Sequence, residues 1–206
     1  MMKTVLIVSF STICSDARVL KQISSLSHSY NVITVGFGPK PFLCSDHLSL
    51  CAPTTLKDQL IVRFSFLLRF YKYFSFKYFQ FYKILSFIDI HNPSIFLLND
   101  CTCWPLIDYI LPSAVICDAH EFSPDELSDN VRWRLLYRPY KRWCSLFAKK
   151  SSFRFSVESN ICSFWSNYLG VDFQLLPNSS SFRAAPSSSI LNKRLKPVSF
   201  VHHGVA

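Results

Sequence analysis

The sequence predicts a doubly wound α/β fold on a parallel sheet. Two observations carry this. Short, continuous apolar runs rich in β-branched residues recur along the chain, and such runs suit strands buried on both faces. Segments with helix-capping signals and helical spacing separate them, and that alternation selects a parallel sheet with right-handed crossovers. Half of the 206 residues are hydrophobic, enough for a substantial core.

TVLIVSF (4–10) is the first strand. Ser15 or Asp16 can cap a helix running to about Ser27, with Val19, Ile23 and Leu26 on one face. NVITVGF (31–37) is the second strand and completes a βαβ opening. Residues 39–57 hold three prolines and scattered polar groups and read as loop. SIFLLND (94–100) is a strand, Trp104–Leu111 a short helix and AVICDAHE (114–121) the next strand. Asp125–Lys149 reads as a helix broken or kinked near Pro139. FRFSVES (153–159), a helix to about Leu169 and VDFQLLPN (171–178) follow. Residues 1–178 thus form one domain. Residues 179–197, rich in Ser, Pro, Lys and Arg, read as a linker, and 198–206 (VSFVHHGVA) as a new strand.

The formal charge is +9, unevenly spread. Arg63, Arg69, Lys72, Lys77 and Lys83 fall in 59–88 with no acid among them, a patch that attracts phosphate-bearing partners. The eight cysteines lack disulfide-framework or zinc spacing, so they read as reduced structural thiols, with no metal site. Charges at Asp16, Arg18 and Lys21 follow the short apolar N-terminus, which reads as a strand rather than a signal peptide. No uncharged apolar window reaches the roughly 18 residues a membrane span needs.

In open parallel sheets, ligands bind beyond the carboxyl ends of the strands. Polar residues expected there are Asp16 and Arg18, then Asn99 and Asp100, then Asp118, His120 and Glu121. His120 can bond hydroxyls at neutral pH or simply bond backbone. Asp100 can bind an acceptor hydroxyl or cap the helix that follows. Arg18 and Lys21 can face phosphate or form a solvated helix face paired with Asp16.

These residues carry a resemblance. SFSTICSDARVLKQISSL resembles the opening of family 4 glycosyltransferases, whose D-x-R-V-x-K pattern falls here on Asp16, Arg18, Val19 and Lys21. LLND (97–100), VICDAHEFSPDE (115–126) and SVESNICSFW…LLPN (156–178) are similar to successive segments of that family, and FVHHGVA (200–206) to the start of its C-terminal domain. The resemblance implies the N-terminal half of a glycosyltransferase B fold, a Rossmann-like acceptor-side domain truncated at the start of a donor-binding domain. It implies sugar transfer from a nucleotide sugar in cell-envelope or capsular polysaccharide synthesis, inactive without the donor domain. His120 and Glu121 are then the expected catalytic pair. Asp16, Arg18, Lys21, Asp100 and Asp118 are the expected acceptor or substrate contacts. No cofactor is implied.

FLLRFYKYFSFKYFQFYKILSF (66–87) is aromatic and basic. As one helix it places Arg69, Lys72, Lys77 and Lys83 within an arc of roughly 140°, with Phe70 and Phe74 among the aromatics opposite. That pattern fits an anionic membrane surface, or a helix packed on the sheet with its lysines solvated. The expectation is a cytoplasmic protein, peripheral at the inner face of the plasma membrane, with a lipid-linked or glycan acceptor. The alternative is a non-catalytic module for membrane docking or partner binding. No RNA-binding signature is present, so nucleic acid is not an expected partner.

Overall fold

The computed structural model describes residues 2–51, 55–110, 114–125, 130–131 and 133–178. The expected linker and the expected final strand, 179–206, lie outside the described residues. Strands β1 (Thr4–Thr12), β2 (Asn31–Phe37), β3 (Asp46–Leu50), β4 (Ile95–Asn99), β5 (Ala114–Ala119), β6 (Phe153–Ser156) and β7 (Gln174–Leu175) make one sheet. Its order is β3-β2-β1-β4-β5-β6-β7, and every pairing is parallel. This is the doubly wound, Rossmann-like α/β architecture the alternating pattern predicts.

The helices are α1 (Ala17–Leu26), α2 (Leu56–Leu67), α3 (Tyr71–Tyr78), α4 (Phe81–His91), α5 (Ile107–Ile110), α6 (Arg138–Ser145) and α7 (Ser159–Leu169). They load the two sheet faces unequally. The larger core cluster joins Leu6, Val8, Ile33, Phe96, Leu98 and Cys117 of the strands to Phe81, Ile84, Cys144 and Trp165 of helices α4, α6 and α7. Trp104 and Trp165 meet there at 5.2 Å between ring centroids, both fully buried. The smaller cluster gathers Val5, Ile7, Val32 and Leu97 under Val19 and Ile23 of α1. Gly36 is required where β2 passes the end of β1 and the turn that follows it: a Cβ there would lie 2.5 Å from the Ser9 carbonyl and 2.6 Å from Ile13.

Three expected elements differ. The loop read over 39–57 contains β3, an edge strand whose alternation is masked because only Leu50 of its five residues is buried. The helix read over 66–87 is broken twice, at Arg69 (φ +60°) and at Gln80 (φ +53°). One straight helix cannot bury aromatics on all of its faces. The breaks let Phe74 join Phe66, Tyr78 and Tyr140, while Phe79 stacks on Phe10 at 3.9 Å. The helix read from Asp125 is, where described, a π turn (Trp133–Tyr137) leading into α6, with Pro139 in the first turn, where its missing N–H costs nothing.

All eight cysteines are free and six are buried. Burial pushes the Cys117 thiol up to about 12, so it stays protonated and acts as a small apolar side chain. No helix of the described residues is long and apolar enough to cross a membrane.

Candidate functional site

The parallel register lines up Ser9, Asn99 and Asp118 at the carboxyl ends of β1, β4 and β5. All three are buried. Polar side chains in that position need partners, and α1 supplies them. Asp16 caps α1, accepting from the backbone N–H groups of Arg18 and Val19 and from the Ser11 hydroxyl at 2.7 Å. That cap sets the first turn so that Arg18 and Gln22, four residues apart, look down on the strand ends.

Arg18 grips Asp118 with two bonds, Nε to Oδ2 at 2.8 Å and Nη2 to Oδ1 at 2.5 Å. Gln22 donates to Asp118 at 2.7 Å and exchanges a pair of amide bonds with Asn99. Arg18 therefore pairs with Asp118, not with Asp16, whose oxygens already serve the cap and Ser11. Burial alone would raise the Asp118 carboxyl, but the approach of His120 and the Arg18 fork outweigh it and hold it below the usual carboxylate range.

Beside this closed network lies an open cavity of about 220 Å³. Its wall carries the hydroxyls of Ser9, Ser11, Thr102 and Ser123 and the carboxylates of Asp16, Asp100 and Glu121, with His120, Lys141 and the ring of Phe10 completing it. Asp100 is bonded by the Cys101 N–H, by Ser123 at 3.1 Å and by Lys141 Nζ at 3.2 Å. It caps the 3₁₀ turn that follows and also faces the cavity, so both roles read from the sequence coexist. Desolvation by the surrounding protein would raise its partly exposed carboxyl, but Lys141 and these bonds hold it below the usual range. Its backbone sits at φ +65°, ψ +150°, a region that side-chain-bearing residues rarely adopt and that recurs at functional sites.

His120 stands between the two. Its Nε2 is 3.5 Å from Asp118 Oδ2 and, buried, has no hydrogen-bond partner among the described residues. Glu121 exposes its carboxylate to the cavity, while its carbonyl is held by Trp165 Nε1 at 2.9 Å. Lys21 lies outside the cavity and reaches Asn178 at 3.1 Å.

The structure thus brings Asp16, Asp100, His120 and Glu121 to one cavity and sets Arg18, Asp118 and Lys21 beside it. Of the expected membrane contacts, Arg69, Phe70 and Lys72 share one exposed surface groove. Lys77 and Lys83 are exposed but do not line it, and Phe74 sits in the aromatic cluster described above. The sequence did not single out Gln22, Lys141 or the four hydroxyl-bearing lining residues Ser9, Ser11, Thr102 and Ser123. Gln22 had a signal, its four-residue spacing from Arg18. Lys141 had none, because only the tertiary fold carries α6 to Asp100.

No protein-family model matches the chain, and no curated protein matches it. Solved structures do. The chain is similar to sucrose-phosphate synthase of Thermosynechococcus elongatus at TM-score 0.59 and 8% identity, covering 93% of this chain and 53% of that one. It is also similar to UGT89C1 of Arabidopsis thaliana complexed with UDP-L-rhamnose, at TM-score 0.52 and 11% identity over 90% of this chain and 54% of that one. UGT73P12 of Glycyrrhiza uralensis, complexed with glycyrrhetinic acid 3-O-monoglucuronide, matches at TM-score 0.50 and 11% identity, over 86% and 49%. The chain spans about half the length of each of these three. At such low identity the likeness shows the fold, a Rossmann-like domain of glycosyltransferase B type.

Proposed function

We propose that this domain is the acceptor side of a glycosyltransferase, with the cavity at the carboxyl ends of β1, β4 and β5 as its sugar-hydroxyl site. The observation that supports this best is the lining: four hydroxyls interleaved with three carboxylates around one imidazole, in a cavity of about 220 Å³. Polyhydroxylated ligands are held by such alternating donors and acceptors, and the carboxylates make the stronger, charge-assisted bonds.

Transfer needs an acceptor hydroxyl that loses its proton as its oxygen bonds to the anomeric carbon and the nucleoside diphosphate leaves with the electron pair. His120 lines the cavity and can take that proton, with the Asp118 carboxylate 3.5 Å from its Nε2. Glu121 is the second proton acceptor at the cavity. Asp16 and Asp100 orient hydroxyls, and Arg18 keeps Asp118 ionised and in place. On this reading the nucleotide sugar belongs to a second domain facing this edge, so these 206 residues bind acceptor and do not transfer sugar by themselves. The reading extends to a glycan or lipid-linked acceptor of envelope or capsular polysaccharide synthesis, met at the inner face of the plasma membrane.

The test is ligand-observed NMR of the purified chain with a panel of methyl hexosides. Binding by at least one glycoside is expected, weakened at least about tenfold by His120→Ala or Asp100→Ala, since each removes a bond to a polar ligand. Lys83→Ala should leave it unchanged. No binding by any glycoside, or binding indifferent to both cavity variants, defeats the proposal.

A further inference from the structure

Helix α2 is apolar on the side that faces away from the core. Val62 and Ser65 point inward and are buried. Leu56, Leu60 and Phe64, spaced four apart, form an outward row that Leu67, Leu68 and Phe70 extend. Their exposures are large: Leu56 73%, Phe64 60%, Leu68 63% and Phe70 62%. Two open grooves, of about 830 and 580 Å³, meet at Phe70 and Tyr73. Scattered single apolar residues on a surface need no explanation, but a contiguous patch of this kind marks a docking surface.

Charge identifies the occupant. Lys57, Arg63, Arg69 and Lys72 are all exposed on the same two helices, α2 and α3, and the turn between them. The one acid there, Asp58, is taken up at the start of α2 by the Thr55 hydroxyl. Apolar side chains flanked by long cations suit the boundary between acyl chains and anionic headgroups, because the cations reach outward while their stems stay apolar. A second copy docking by the same patch would set these cations against one another.

We infer that the outward row of α2, with Phe70 and the cations around it, inserts into an anionic lipid surface. The contact is made by α2 and the turn after it, not by one continuous basic helix over 66–87. The inference deepens the acceptor reading, since it would hold the domain where a lipid-linked acceptor lies. The two fail separately, because the hydroxyl cavity shares no lining residue with either groove.

The experiment is co-sedimentation of the full chain with vesicles of neutral phospholipid alone, and with about 30% anionic phospholipid added. Binding is expected only with the anionic vesicles, falling at least about tenfold in Leu60→Ser/Phe64→Ser and again in Lys57→Gln/Arg69→Gln/Lys72→Gln. These side chains are exposed, so both variants should keep the native circular dichroism and methyl hexoside binding. Absence of sedimentation by the native chain, or equal sedimentation of either variant, overturns the inference. So does a native dimer that Leu60→Ser/Phe64→Ser dissociates, which would make the patch an interface between copies.

Discussion

Asp118 and Asp100 end neighbouring strands, and the Asp100 N–H donates to the Asp118 carbonyl. Their fates differ. The Asp118 side chain is 2% exposed and bound by Arg18 and Gln22; that of Asp100 is 41% exposed, strained and turned toward a cavity. What separates them is the element opposite. Above Asp118 the capped α1 closes the edge with a guanidinium and an amide. Over Asp100 the described residues leave the edge open to the cavity, and Lys141 of α6 reaches its carboxylate at 3.2 Å. One edge of the sheet therefore holds a keystone and a candidate ligand contact, built from the same residue type.

The most disruptive way to break the comparison is Arg18→Met. It strands a buried carboxylate, and removing one partner of a buried pair costs about 3–5 kcal/mol. Urea denaturation should show a loss of that size, and adding Asp118→Asn should recover part of it by neutralising the orphaned charge. A loss under about 1 kcal/mol would mean that Asp118 does not depend on Arg18.

Acid should reveal the same asymmetry more gently. Both carboxyls are held below their ordinary values in the folded state, whereas the unfolded chain titrates near pH 3.9. The unfolded state then binds more protons between the two values. The stabilisation is fully present above the unfolded value and is lost as pH falls through the folded one. The melting temperature should change little above about pH 5 on this account and drop below about pH 4. The drop should be shallower in Arg18→Met, where Asp118 has lost its ion-pair partner. An acid limb identical in the two proteins would show that the Arg18 pair does not hold the Asp118 carboxyl down.

Most of this edge was legible before the fold was known. Continuous runs such as TVLIVSF and NVITVGF place the central strands, and polar residues just past them place the site. The cap at Asp16 and the four-residue spacing of Arg18 and Gln22 are local facts. Lys141 and the pairing of Arg18 with Asp118 are not, because they join positions 41 and 100 residues apart that only the sheet order brings together. The breaks at Arg69 and Gln80 were hidden for another reason. A stretch aromatic on every side has no single inward face for periodicity to find, and packing against Phe10 and Tyr140 decides it instead.

The smallest change in stability is expected from the substitution that most sharpens the contrast. Asp100→Gly places the one residue that readily adopts φ +65°, ψ +150° where the backbone already does so. It relieves strain of about 1–3 kcal/mol. Against this it gives up the cap on the Cys101 N–H and the bonds to Ser123 and Lys141, and glycine adds roughly 0.5–1 kcal/mol of chain entropy to be lost on folding. The terms nearly cancel, so the folding free energy should stay within about 1 kcal/mol of the native protein while methyl hexoside binding falls as in Asp100→Ala. A backbone held in strain by a carboxylate that stability does not need is what a binding role predicts. If Asp100→Gly instead unfolds the protein as readily as Arg18→Met, Asp100 is a second keystone, and the cavity loses its best-placed ligand contact.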